Sequence, residues 1–325
     1  MNKAILAIAV LFSISACNKD PKCVWEFDAK QRVISASALD DDRMIAVLTN
    51  NDIQIIDLRT GKAIKRIASG DYGYFPNGRS DLRSIACEDS ICWVAGGSHY
   101  VGFLAKINTA NNERNFIESD LFSEIWDVGI GPAHTIITGH GTELVTIWNA
   151  ENLQRVNKIQ LSDSREVYAV HYDGKNFLAG NDAGELVIWD GRTKIPMHRI
   201  IVEPGNDKSE SQPSPIDTIA TANGFFIVGG HEYLDLINSK AISDKRHVEL
   251  KGATVSSCDS STDSQVVWCG LTNGVLVSVG FDGEIKSSER VHDHEIRFVK
   301  ALPGIVITAS TDGMVRAQLN KPGSR

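Results

Sequence analysis

Seven copies of one short-strand pattern fill this chain, and that repetition restricts it to very few folds. The clearest copy is Glu166–Asp190, EVYAVHYDGKNFLAGNDAGELVIWD. Val167–Tyr172 reads as a strand that stops at the turn signal Asp173-Gly174. Asn176–Gly180 reads as a second strand, ending in the polar turn Asn181–Gly184, and Glu185–Asp190 as a third. Lys194–Ile201 follows as a fourth candidate. Short runs punctuated by Gly, Asp and Asn predict an antiparallel meander rather than βαβ units. One such sheet has two apolar faces, so it needs copies of itself to stack against. The first strand recurs as Val33–Ala38, Leu82–Cys87, Ile125–Ile130, Val167–Tyr172, Ile216–Thr221, Val255–Ser260 and Ile296–Ala301. Small-residue second strands follow (MIAVLT, CWVAGG, TIITG, NFLAG, FFIVGG, VVWCG, IVITAS), and then apolar third strands.

A period of about 40 to 45 residues with four strands per repeat is that of the WD40 repeat. Trp189-Asp190 is a full Trp-Asp pair, Trp148-Asn149 is close to one, and Ile56-Asp57 keeps the acid. His292 stands four residues before Ile296, where the family places its His, and Ala309–Gly313 resembles the family's turn between second and third strands. The chain thus resembles the WD40 family from Val24 to Leu319. The resemblance implies an all-β protein, a seven-bladed β-propeller of four-stranded antiparallel blades spanning residues 24–320, with a tail at 321–325. The last repeat lacks a fourth strand, and Val24–Phe27 (VWEF) is a spare strand at the other end. The expectation is that this N-terminal strand closes the ring and covers an edge that would otherwise invite aggregation.

Ahead of the repeats, Lys3, the apolar run Ala4–Ile14 and Ser15-Ala16 read as a signal peptide, residues 1–16. Eleven residues are too few to span a bilayer. Ile14-Ser15-Ala16-Cys17 resembles the bacterial lipobox, which makes Cys17 the expected lipidation site and residues 17–23 a tether. Ordinary cleavage with Cys17 incidental is the plain alternative. Asn18 after the Cys implies, by the same resemblance, outer-membrane sorting and a periplasm-facing lipoprotein of the bacterial cell envelope.

Formal net charge is −8 and no Lys/Arg run interrupts it, which disfavours nucleic acid and anionic lipid headgroups as partners. Export permits disulfides. Cys87 and Cys92 flank the first hairpin of the second repeat, and Cys258 and Cys269 the same hairpin of the sixth. Each pair falls across neighbouring strands, within bridging distance, so two disulfides are expected against the alternative of four buried thiols. Cys23 is left over, an odd thiol.

No G-x-S-x-G, H-E-x-x-H, P-loop or C-x-x-C is present, so no enzyme, cofactor or catalytic residue is expected. His99, His140 and His231 fall at turns between second and third strands, a weak alternative as metal ligands, since the second and fifth repeats are not neighbours on a ring. The long connection Ser69–Asp81 carries Tyr72, Tyr74, Phe75 and Arg79, residue types that dominate binding hot spots. The alternative is that these aromatics pack their own loop. A second long connection, Val202–Pro215, is polar and rich in Pro and Ser. The expected function is a monomeric propeller scaffold for a protein partner within an envelope assembly or secretion complex, the alternative being an enzyme or small-molecule binder at the channel mouth.

Overall fold

A computed structural model of the chain describes residues 22–40, 44–49, 52–68, 81–98, 101–119, 123–142, 144–161, 165–202, 214–261 and 265–319. All regular structure in these residues is β. β1 (Cys23–Asp28) precedes the first repeat. One sheet holds β2 (Val33–Asp40), β3 (Met44–Thr49), β4 (Asp52–Asp57) and β5 (Lys62–Ala68). The next holds β6 (Asp81–Glu88), β7 (Ile91–Ser98), β8 (Val101–Asn108) and β9 (Arg114–Ser119). A third holds β10 (Ile125–Gly131), β11 (Thr135–His140), β12 (Leu144–Asn149) and β13 (Arg155–Gln160). A fourth holds β14 (Val167–Tyr172), β15 (Asn176–Asn181), β16 (Glu185–Asp190) and β17 (Pro196–Ile201). The fifth has six strands: β18 (Ile216–Ala222), β19 (Phe225–Asn238), β20 (Lys245–Asp259), β21 (Val266–Leu271), β22 (Val275–Gly280) and β23 (Ile285–Arg290). The sixth joins the two ends of the chain, in the order β1, β26 (Met314–Leu319), β25 (Ile305–Ser310), β24 (Ile296–Leu302).

The protein is a β-propeller of antiparallel, mostly four-stranded sheets, and this corrects the expected architecture. Among the described residues there are six hydrogen-bonded sheets, not seven separate blades. Nor is β1 a closing strand added to a seventh blade. It is the edge strand of the sixth sheet, running antiparallel to β26 from Asp28 opposite Met314 to Cys23 opposite Gln318. The count changes because β19 and β20 are long. β19 pairs with β18 through residues 225–230 and with β20 through 231–237. β20 pairs with β19 through residues 245–254 and with β21 through 255–259. The expected turn at Gly229-Gly230-His231 does not break the ladder, because His231 stays paired with Thr254. The strands bend instead. Glu232 and Gly252 adopt left-handed φ values of 63° and 73°, and the Gly252 amide donates to Glu232 Oε1 at 2.6 Å. The bent sheet folds onto itself and encloses Ile227, Leu234, Leu236, Val248, Val255, Val267, Cys269 and Val277.

Apolar clusters fill the spaces between sheets, because each strand alternates between two inward-facing surfaces. Phe177 and Trp189 lie opposite one another on β15 and β16 and pack with Ile137, Val145 and Ile147 of the preceding sheet. Each such side chain, fully buried, is worth about 1.5–3 kcal/mol. Trp25 anchors β1. Its indole donates to Leu58 O at 2.9 Å, and its ring lies over Gly61, where a Cβ would stand 2.6 Å from it. Outer strands are more polar, as on β5 and β23, and Pro196 opens the outer strand β17, where a missing donor is tolerated.

Both expected disulfides are present, Cys87–Cys92 and Cys258–Cys269, each across directly paired residues. Cys23, expected as an odd thiol, is itself disulfide-bonded. No described helix is long and apolar enough to cross a membrane.

Candidate binding site at the channel mouth

The innermost strands β2, β6, β10, β14, β18, the second half of β20 and β24 neighbour one another in a closed circle. They surround a central cavity of about 1530 Å³. Each of these strands is irregular at the same place. The register with its partner strand shifts near the start of the pairing: Val33/Ser35, Leu82/Ser84, Ile125/Asp127, Val167/Ala169, Ile216/Thr218, Val255/Ser257 and Ile296/Phe298. A bulge leaves one residue unpaired and re-aims its side chain. The bulged residues are Ile34, Arg83, Trp126, Tyr168, Asp217, Ser256 and Arg297, and all seven line the cavity. Arg32, Arg165, Asp182, His231 and Glu295 line it beside them.

Deeper polar residues brace one sheet to the next. Asp127 of β10 accepts from Ser84 Oγ of β6 at 2.7 Å and from the Val170 amide of β14 at 2.9 Å. Burial pushes its carboxyl above the usual range, and the amide and hydroxyl bonds pull the other way. Ser37 accepts from the Cys87 amide at 2.9 Å, and His171 meets Thr221 at 3.0 Å with its pKa lowered by burial to about 4. Ser257 and Asp259 take the amides of Val299 and Ala301. These groups hold the ring together and have few bonds left for a ligand.

The bulge ring is different in kind. The Arg83 guanidinium lies 4.3 Å from the Trp126 ring centroid and donates to Glu124 at 2.9 Å. Trp126 meets Tyr168 edge to face at 5.3 Å. The Tyr168 hydroxyl donates to Glu166 at 2.7 Å, and burial first, then that bond and the charges of Glu166, Asp182 and Asp217, hold its pKa well above the usual phenol range. Three neighbouring sheets thus contribute one cation–aromatic–aromatic ladder to the mouth.

The other expected site residues fall elsewhere. Cys17, the expected lipidation position, and Tyr72, Tyr74, Phe75, Arg79 and His99 lie outside the described residues. His140 is buried at the end of β11. Its Nε2 meets Thr138 Oγ1 at 2.9 Å, and Thr138 takes the Trp148 indole N–H at 2.8 Å. Burial, then the charge of Lys158, lowers the His140 pKa to about 3. His231 is exposed and meets Thr254 Oγ1 at 3.1 Å. His292 is buried against Asp312 and Thr308. Among the described residues no three His, Cys, Asp or Glu side chains stand together as metal ligands.

The residues of the ladder were not singled out in the sequence, although a signal exists. Each is the second residue of a repeat's first strand, a column where Arg, Trp, Tyr, Asp and Ser interrupt an apolar run.

Against solved structures, the chain matches a protein chain from a crystal structure of the mitotic checkpoint complex with a TM-score of 0.75 at 14% identity, covering 98% of this chain and 99% of that one. It also matches a computationally designed protein, Ika8, with a TM-score of 0.64 at 12% identity, covering 90% of this chain and 97% of that one. At these identities the likeness establishes the fold, a WD40-like β-propeller. No family model and no curated protein matches the chain.

Proposed function

We propose that this protein is an envelope-anchored propeller that captures a protein partner at the channel mouth. One observation carries the reading: the bulge ring presents Arg83, Trp126 and Tyr168 as a contiguous ladder across β6, β10 and β14. Trp, Tyr and Arg are the residues on which binding energy concentrates. The likeness to a subunit of the mitotic checkpoint complex agrees with a fold that works inside assemblies. The loop bearing Tyr72, Tyr74, Phe75 and Arg79 joins β5 to β6, two residues short of the strand position of Arg83, and we include it in the binding face.

The membrane anchor is part of the same proposal. The lipobox-like Ile14–Cys17 supports it, and two disulfides support an oxidising, exported location such as the periplasmic face of an outer membrane. A lipid thioether and a disulfide cannot share the Cys17 sulfur. Mass mapping of the mature N-terminal peptide therefore tests the anchor. An acylated Cys17 supports it, and an unacylated N-terminus or a Cys17–Cys23 disulfide removes it.

The partner reading is tested by affinity purification from crosslinked membranes with Arg83→Ala, Trp126→Ala and Tyr168→Ala combined. Loss of a specifically crosslinked protein, with folding and processing unchanged, is the expected result. Unchanged capture would refute it. A second reading, a small-molecule binder or enzyme, is favoured by the depth and polarity of the cavity, where Asp182, Asp217, Glu295 and His231 converge. Against catalysis, the hydroxyl beside His231 belongs to Thr254, and no hydrogen bond among the described residues orients that His from Asp217.

A further inference from the structure

The two ends of the propeller carry different exposed side chains. The innermost strands start at the mouth, and neighbouring strands within each sheet are antiparallel. First and third strands therefore end at the opposite face, and outer strands start there. β1 starts there too, because it runs antiparallel to β26, a third strand.

Among the described residues, nine large apolar side chains are exposed, and seven of them stand at that far face. Val24 is the second residue of β1, and Leu319 the last of β26. Ile64, Val156 and Ile285 fall within the first three residues of the outer strands β5, β13 and β23. Ile195 and Met197 flank Pro196 at the start of β17. Val101, first in β8, and Ile201, last in β17, are the two on the mouth side. Exposed apolar side chains scattered singly need no explanation, but a set collected along one rim does. A basic residue stands within two positions of each rim site on the outer strands: Lys22, Lys62, Arg155, Lys194 and Lys286. Such side chains lay an apolar stem along the surface and carry the charge outward. The same face also opens into an apolar groove of about 370 Å³ between the first and second sheets, lined by Leu39, Ile55 and Ile64 and bounded by Ser90 and Ala110.

Apolar groups interleaved with Lys and Arg are what an interfacial segment presents to a bilayer. The course of the chain names the same occupant. Lys22 is pinned at the far end of β26, where its carbonyl accepts from the Leu319 amide at 2.8 Å. Four residues separate it from Cys17. Fully extended, they let the two Cα atoms stand at most about 18 Å apart. An acyl group on Cys17 would therefore bring the far rim beside the lipid.

We propose that the far rim rests flat on the bilayer surface, with its apolar side chains among the headgroups, and holds the channel mouth away from the membrane. The inference rests on the reading of Cys17 as a lipid anchor. The contact is chiefly apolar, because Lys22 already holds Glu289 at 2.6 Å, and Lys286 holds Asp282 and Glu284 at 2.7 Å. It requires no anionic lipid, in keeping with a net charge of −8. The mouth then offers Arg83, Trp126 and Tyr168 to a partner arriving from the aqueous side.

The test uses the mature protein, with acyl mass on Cys17 verified first, in phosphatidylcholine vesicles. The photocrosslinking residue p-benzoylphenylalanine replaces one exposed side chain at a time, so the core is left intact. Lipid adducts, read by mass, should form from positions Ile64, Ile195 and Ile285 and be lost at Val101 and Ile201. Adducts of equal yield at all five positions, adducts confined to Val101 and Ile201, or none at any position would overturn the proposal. Adducts at Ile64 and Ile285 without Ile195 would mean that the propeller stands on edge, and would overturn it as well. The anchor is judged separately. An acylated Cys17 with no adducts at the rim keeps the anchor and removes the docking, whereas a Cys17 without acyl mass removes both.

Discussion

Two polar clusters in this propeller start from similar residues and end in opposite states. In the first, buried His292 meets Asp312 Oδ2 at 3.0 Å through Nδ1 and Thr308 Oγ1 at 2.8 Å through Nε2. Asp312 also accepts from the Met314 amide at 2.8 Å. Burial works against the Asp312 charge, but the bonds from His292 and the backbone outweigh it and hold its pKa below the usual range. In the second, Asp182, Asp217 and Trp126 line one cavity; Asp182 Oδ1 and the Trp126 indole N–H are buried without a hydrogen-bond partner among the described residues, and Asp217 feels His231, Glu295 and Arg297 through space. There burial wins and the Asp217 pKa rises. A satisfied cluster contributes to the fold, whereas an unsatisfied one costs stability.

Replacing His292 should have the largest effect. His292→Ala removes a fully buried ring and strands Asp312 and Thr308, so a loss of about 3 kcal/mol in a denaturant titration is expected. A loss under 1 kcal/mol would mean that this cluster is not the stabilising member of the pair.

Next comes a matched pair of substitutions. Trp148→Phe removes an N–H that Thr138 accepts, and Trp126→Phe removes one with no acceptor. Both trim an indole to a phenyl ring, and the first alone loses a hydrogen bond made within the described residues. Trp148→Phe should cost about 1 kcal/mol more than Trp126→Phe by thermal unfolding. Equal costs would erase the distinction.

The removal of the two disulfides makes a smaller comparison away from the mouth. Their sequence separations are 11 and 5 residues. Opening Cys258–Cys269 by paired Ala substitution should cost about 0.7 kcal/mol more than opening Cys87–Cys92, by the loop-length dependence of chain entropy. Melting curves of the two double variants measure that ordering, and a reversed order would refute it.

The last is a pH profile at the mouth. Asp217 has a folded pKa of about 6 against 3.8 unfolded. The folded state therefore holds a proton that the unfolded state has lost between those values, and stability falls as pH rises from about 4 to about 6. The penalty is complete above pH 6 and amounts to at most about 3 kcal/mol. Asp217→Asn should remove it, so the variant should be the more stable above pH 6 and match the parent below pH 4. Asp312 acts with opposite sign. Its lowered pKa adds stability that is present above about 4 and lost on further acidification. A stability difference between parent and Asp217→Asn that did not change between pH 4 and 7 would show that Asp217 is not the strained group.

Much of the fold is legible along the chain because it is local. Strands of about six residues end at Asp-Gly and Asn-Gly type turns, and their small-residue and apolar columns repeat with a fixed period. The disulfides were legible for the same reason. Cys87 and Cys92 bracket one hairpin, and hairpin pairing puts them opposite each other. The count of sheets was not legible. Gly229-Gly230-His231 looks like the other turns, yet the His231–Thr254 pairing and the left-handed Glu232 and Gly252 keep β19 and β20 continuous.

The repeat, the strand order and the hairpin disulfides were therefore settled by the sequence itself, through patterns that span a few residues. The candidate site at the channel mouth was decided by tertiary structure. Trp126, Tyr168 and Asp217 are separated by 40 to 50 residues of chain, and each alone reads as a polar or aromatic interruption of an apolar strand. They come together because β10, β14 and β18 each bulge at the second residue, and because the ring sets those bulges side by side. Pairing register and ring curvature are properties of the assembled sheets, and no single repeat carries them.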